Sequence, residues 1–98
     1  MPTFETTNRF AKDWADLGPD DRLRFKAAVP ESFVLDLASG GRFRAGLRIR
    51  GVQKTAGVME MTWAPDGRAT WQYGDELTEG DPHIIWRRIW THDIFRSP

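Results

Sequence analysis

The chain has 98 residues, 40% of them hydrophobic, no cysteine, and fourteen basic side chains against fourteen acidic ones. That length supports one core and argues for a single domain over 1–98, while the missing cysteine excludes disulfide frameworks, Cys-ligated metals and thiol nucleophiles. Zero net charge excludes a bulk attraction to nucleic acid or membrane, so any such partner must be met by a local patch. The first residues carry no apolar run of signal-peptide length, and no stretch approaches the ~18 apolar residues of a spanning helix. The expectation is a cytoplasmic protein with no membrane partner.

Residues 7–17 place Phe10, Trp14 and Leu17 at i, i+4 and i+7, with Ala11 and Ala15 beside them, which is the stripe of a short amphipathic helix. Gly18 stops it. Pro19, followed by Asp20 and Asp21, starts a second helix, because proline fits a first turn and carboxylates there offset the helix dipole. Its stripe of Leu23, Phe25, Val29, Phe33 and Leu37 runs to Ser39-Gly40-Gly41, with a defect expected at Pro30. Beyond Gly41 the period changes to short runs at 47–53, 58–63, 68–73 and 83–90, which read as strands. Ala64-Pro65-Asp66-Gly67 is a hairpin signal, with Gly67 free to adopt positive φ. Residues 74–82 carry four carboxylates and no base, and read as a solvated loop. The predicted fold class is α+β, an N-terminal helical hairpin packed on a twisted, mostly antiparallel sheet.

Charge is unevenly placed. Residues 39–59 hold Arg42, Arg44, Arg48, Arg50 and Lys54 and no acid. If 47–53 is a strand, Arg48 and Arg50 share a face and form a surface suited to phosphate or carboxylate oxygens, or a plainly solvated face. Arg68 opens the third strand, and Arg87 and Arg88 lie in the last with opposite facing, where they either join Arg68 or pair with the acidic loop before them. His92 follows the last strand and precedes Asp93; it is placed either as a general acid–base or as a strand cap. His83 reads as a surface residue at the loop's end. Two histidines and scattered acids lack metal-ligand spacing, and neither a nucleophile elbow nor a phosphate-binding glycine loop is present, so no metal and no cofactor are expected.

Four strings in order carry a resemblance: FAKDWADL with the helix after it, GLRIRGV to MEMTW within 46–63, GRATWQY at 67–73, and IIWRRIWTHDIF at 84–95. Together they resemble the RelE/ParE superfamily of bacterial type II toxins, and in particular its RelE/YafQ-like members. The resemblance implies a short first strand, a helical hairpin and a sheet of four to five strands. It also implies a toxin that acts as a ribosome-dependent mRNA endoribonuclease, directing a ribose 2′-hydroxyl at the adjacent phosphate. His92 matches the family's acid–base histidine, Arg68 its phosphate-contacting strand arginine, and Arg88 the arginine before the terminal motif. Phe95 matches the terminal aromatic position, and Arg48, Arg50 and Lys54 lie where the family places basic residues for RNA. The implied partners are a cognate antitoxin and mRNA on the ribosome. An alternative on the same scaffold is a ParE-like inhibitor that binds DNA gyrase without chemistry, or a non-toxic binding module.

Overall fold

Thr7 begins the first helix because its hydroxyl accepts from the Phe10 N–H at 3.1 Å, satisfying one of the amides that a helix start leaves unpaired. The computed structural model describes residues 2–53 and 55–98, with the backbone alone for His92 and Arg96. In chain order the elements begin with β1 (Thr3–Thr6), α1 (Asn8–Asp16) and α2 (Pro19–Ala28), a π-helical turn (Val29–Phe33) and α3 (Val34–Ala38). A 3-10 turn (Ala45–Leu47) leads to β2 (Arg50–Gly51), β3 (Met59–Thr62), β4 (Gly67–Gly74), β5 (His83–Thr91) and a last 3-10 turn (His92–Arg96).

The expected defect at Pro30 is the π-helical turn: the chain widens by one residue there, with the Val34 N–H donating to the Val29 carbonyl, and absorbs the proline without ending the helical run. Gly40 and Gly41 take φ of 93° and 77°, and the Gly41 N–H donates to the Asp36 carbonyl, so the glycine pair terminates α3 as expected. Arg22 closes the α1–α2 corner by donating to two carbonyls of the last turn of α1, those of Trp14 at 3.0 Å and Ala15 at 2.9 Å.

The five strands form one sheet in the order β1-β5-β4-β3-β2, with β1 parallel to β5 and all other pairs antiparallel. Met61, Ala69 and Ile89 stand opposite one another across three strands and are fully buried. With Trp71 and Trp86 they meet Phe10, Phe25 and Phe33 from the helices, which makes the core strongly aromatic. The neighbouring row, Arg50, Glu60, Thr70 and Arg88, belongs to the other face. There the C-terminal segment folds back, and the Pro98 backbone oxygen accepts from Thr70 Oγ1 at 3.5 Å and Arg87 Nε at 3.1 Å.

Three expectations are corrected. The run at 47–53 is not one strand: Leu47 ends a 3-10 turn, Arg48 takes the left-handed conformation at φ 50°, and only Arg50 and Gly51 pair. Arg48 and Arg50 therefore do not share a strand face. A bulge opposite Thr70 and Trp71 makes Arg87 the extra residue of β5, so Arg87 and Arg88 reach the same C-terminal segment instead of facing apart. His83 is buried, not superficial, because β1 covers it: its ring nitrogens lie 2.7 Å from Thr3 Oγ1 and 2.6 Å from Glu5 Oε1.

Candidate functional site

The hairpin between β3 and β4 sets the first of the site residues. Its Trp63 indole lies against Gly67, where a Cβ would stand 2.6 Å from the Trp63 Cε2. Glycine is required at this position for close approach, and the positive φ expected of it is not adopted. Arg68 follows directly. Its NH1 donates to the carbonyls of Gly67 at 3.0 Å and of Ala64 and Pro65 at 3.3 Å, which folds the guanidinium over the hairpin tip. Arg68 meets no carboxylate among the described residues, so its charge is available to an incoming anion.

The His92 turn begins at the same end of the ladder, from β5. Thr91, the last residue of β5, stands opposite Gly67 and caps the final turn by accepting from the Asp93 N–H at 3.3 Å. The backbone of His92 is thus one residue past the Gly67–Thr91 pair and two past Trp90, the partner of Arg68. The His92 side chain lies outside the described residues, as does Lys54. Phe95 sits half-buried in the same turn, next to the fully buried Ile94.

The other basic candidates divide by their partners. Arg50 pairs with Glu60 across β2 and β3. Arg88 is held by Asp13 through two bonds, NH2 to Oδ1 at 2.8 Å and Nε to Oδ2 at 2.9 Å. The hydrogen bond to Asp13 raises the Arg88 pKa further above its ordinary value, so that cation is permanent. Neither Arg87 nor Arg88 pairs with the 74–82 loop: Arg87 donates to Gln72 Oε1 at 2.6 Å, and the loop is tied internally by Glu76 accepting from the Gly80 N–H. Arg48 is exposed and lines an open cleft of about 590 Å³ together with Ser32, Trp63 and Pro65. Trp63, which lines that cleft, has a buried indole N–H with no hydrogen-bond partner among the described residues.

Of the expected residues, then, Arg68 and the backbone of His92 lie at the same end of the β4–β5 ladder. Arg50 and Arg88 share a row on the same sheet face as Arg68 but carry their own carboxylates, and Arg48 stands apart. Sequence reasoning missed Asp13, whose position on the apolar face of a helical wheel was the available signal: it follows Phe10 by three residues and precedes Leu17 by four. Among the described residues no group of three or more His, Asp or Glu side chains comes together as a metal site, and no helix is long and apolar enough to cross a membrane.

No protein-family model and no curated protein sequence matches the chain. Solved structures do. A copper-bound mutant toxin from Helicobacter pylori superposes with a TM-score of 0.65 at 18% identity, covering 95% of this chain and 97% of that one. YafQ from Escherichia coli gives a TM-score of 0.65 at 15% identity over 95% and 96% of the two chains. A chain of the Escherichia coli DinJ–YafQ toxin–antitoxin complex gives 0.65 at 16% identity over 94% and 93%. With this coverage, and with the strand order and helical hairpin described above, the chain has the RelE/YafQ-like fold.

Proposed function

We propose that the protein is the toxin of a type II toxin–antitoxin pair and cleaves messenger RNA on the ribosome. The observation that supports this reading is that Arg68, with no carboxylate partner among the described residues, and the start of the His92 turn lie at the same end of the β4–β5 ladder. In the proposed reaction the ribose 2′-oxygen loses its proton and attacks the adjacent phosphorus. The bond from phosphorus to the 5′-oxygen breaks, and that oxygen takes up a proton, leaving a cyclic phosphate and a 5′-hydroxyl. His92 serves as general acid or base, the role to which an imidazole is suited because it both donates and accepts a proton. Arg68 stabilises the charge that grows on the phosphate oxygens. Arg88 supports the same centre from β5, Phe95 offers a ring for a base to stack on, and Arg48, Arg50 and Lys54 hold the RNA backbone. The antitoxin of this reading is an acidic or amphipathic segment lying across the sheet and covering Arg48, Arg50 and Arg68.

Zero net charge favours a second reading, a non-catalytic inhibitor of DNA gyrase, because phosphate neutralisation then supplies less of the affinity. Induction in bacteria with mapping of transcript 5′ ends separates the two. Growth arrest with new ends at a fixed phase within codons is the expected result. Arrest with DNA damage and no new ends would transfer the protein to the gyrase reading, and no arrest at all would leave a non-toxic binding module.

A further inference from the structure

Asp13 is a carboxylate inside the fold, 8% exposed, with both oxygens engaged. β1 accompanies β5 only as far as the Thr6–Trp86 pair, and α1 lies along the edge beyond it. There Asp13 Oδ2 accepts from the Ile89 N–H at 3.2 Å, substituting for the strand that is missing. The same carboxylate grips the Nε and NH2 side of Arg88, which leaves NH1 to donate to the Ser97 carbonyl at 3.3 Å. One helical turn earlier, Arg9 donates to Ser97 Oγ at 2.9 Å. The helix thus holds the C-terminal segment twice, directly through Arg9 and indirectly through Asp13 and Arg88. That segment begins with His92.

We infer that Asp13 is a positioning residue of the proposed cleavage centre: by fixing Arg88 it sets where the 92–98 segment stands relative to Arg68. This deepens the nuclease reading and rests on it. A fork-to-fork pairing determines direction as well as distance, and a largely buried ion pair adds little net stability over an apolar contact of equal volume. Orientation is therefore what this arrangement supplies best. The inference also defines the part of Arg88 in that centre, as the strut between α1 and the final turn.

The test uses the purified protein with programmed ribosomes and three variants: Asp13→Asn, Arg88→Lys and the double. Lysine keeps the charge but cannot be gripped at two points. Each single substitution is expected to lower kcat by about tenfold or more with KM within about twofold, and the double to fall no further than the worse single, as for residues acting as one unit. Additive losses, or a rise in KM confined to Arg88→Lys with Asp13→Asn unchanged, would overturn the inference. Amide hydrogen exchange supplies a readout independent of cleavage. The amides of residues 92–97 should exchange at least ~10 times faster in both singles while the amides of β3 and β4 stay as in the wild type. Unchanged exchange at 92–97, or acceleration throughout the sheet, would contradict a positioning role. A wild type that cuts nothing removes the nuclease reading, and exchange alone then decides whether Asp13 holds the turn.

Discussion

Arg48 and Arg50 are two residues apart, yet their surroundings assign them different work. Arg48 has a left-handed backbone and an exposed side chain at the mouth of a cleft, whereas Arg50 shares its charge with Glu60. An arginine already neutralised by a carboxylate releases fewer counterions when it meets phosphate. Arg48→Ala is accordingly expected to weaken ribosome or RNA association and to reduce the log–log dependence on salt by about one. Arg50→Ala should change that slope by less. Equal slopes for the two variants, measured by titration at several salt concentrations, would show that the Glu60 pairing is irrelevant to binding. Both residues were legible as basic candidates. What the sequence could not convey was that Arg48 breaks the alternation, since a φ of 50° at a non-glycine residue has no residue-type signature here.

At the scale of elements, the helical hairpin is held to the sheet by rings. Phe25 lies within 5.3 to 6.1 Å, centroid to centroid, of Phe10, Trp14, Trp63 and Trp86, so truncating it removes contacts to α1, the β3–β4 hairpin and β5 together. Phe25→Ala is expected to cost about 3–5 kcal/mol in denaturant unfolding, as other large core truncations do. A loss below about 1 kcal/mol would mean that the cluster relaxes around the gap. A second link ties α3 to the chain before the Ala45–Leu47 turn: Arg44 donates from Nε and NH2, and from its backbone N–H, to the Asp36 carboxylate. Those bonds lower the Asp36 pKa from 3.8 to about 2. Because the folded value lies below the unfolded one, the ionised form favours folding, and its contribution is full above 3.8 and lost as pH falls through about 2. Asp36→Asn is expected to lower Tm at neutral pH and to match the wild type near pH 2. A gap that persists unchanged at that pH would assign the effect to shape instead of charge.

These elements also show where the sequence was readable. The α1 stripe, Pro19, the Pro30 defect, the glycine pair and the Pro-Asp-Gly hairpin are all local signals, and the structure follows each of them apart from the positive φ expected at Gly67. β1 was not legible from its own residues, because a four-residue edge strand with three exposed positions has no clear apolar alternation. Its presence is what buries His83.

For the whole molecule, the zero net charge is distributed by tertiary structure. Arg88 finds Asp13 from 75 positions away and Arg44 finds Asp36, while Arg68 retains its charge beside the final turn. That Arg68 and the backbone of the final turn lie at one end of the ladder was legible through the antiparallel pairing of β4 and β5, which brings residues 67 and 91 opposite each other. The capture of Arg88 was not, since no spacing rule connects a helix residue to the bulged strand it will edge. The central claim is that this one end of the sheet performs phosphodiester cleavage with His92 moving the proton. The most direct test incubates purified wild type and His92→Ala with ribosomes carrying a defined message and determines the chemistry of the new RNA ends. Cyclic phosphate and 5′-hydroxyl ends from the wild type, with cleavage by His92→Ala reduced by about 10²–10⁴-fold at an unchanged circular dichroism spectrum, are the expected result. Full cleavage by His92→Ala, or none by the wild type, would contradict it.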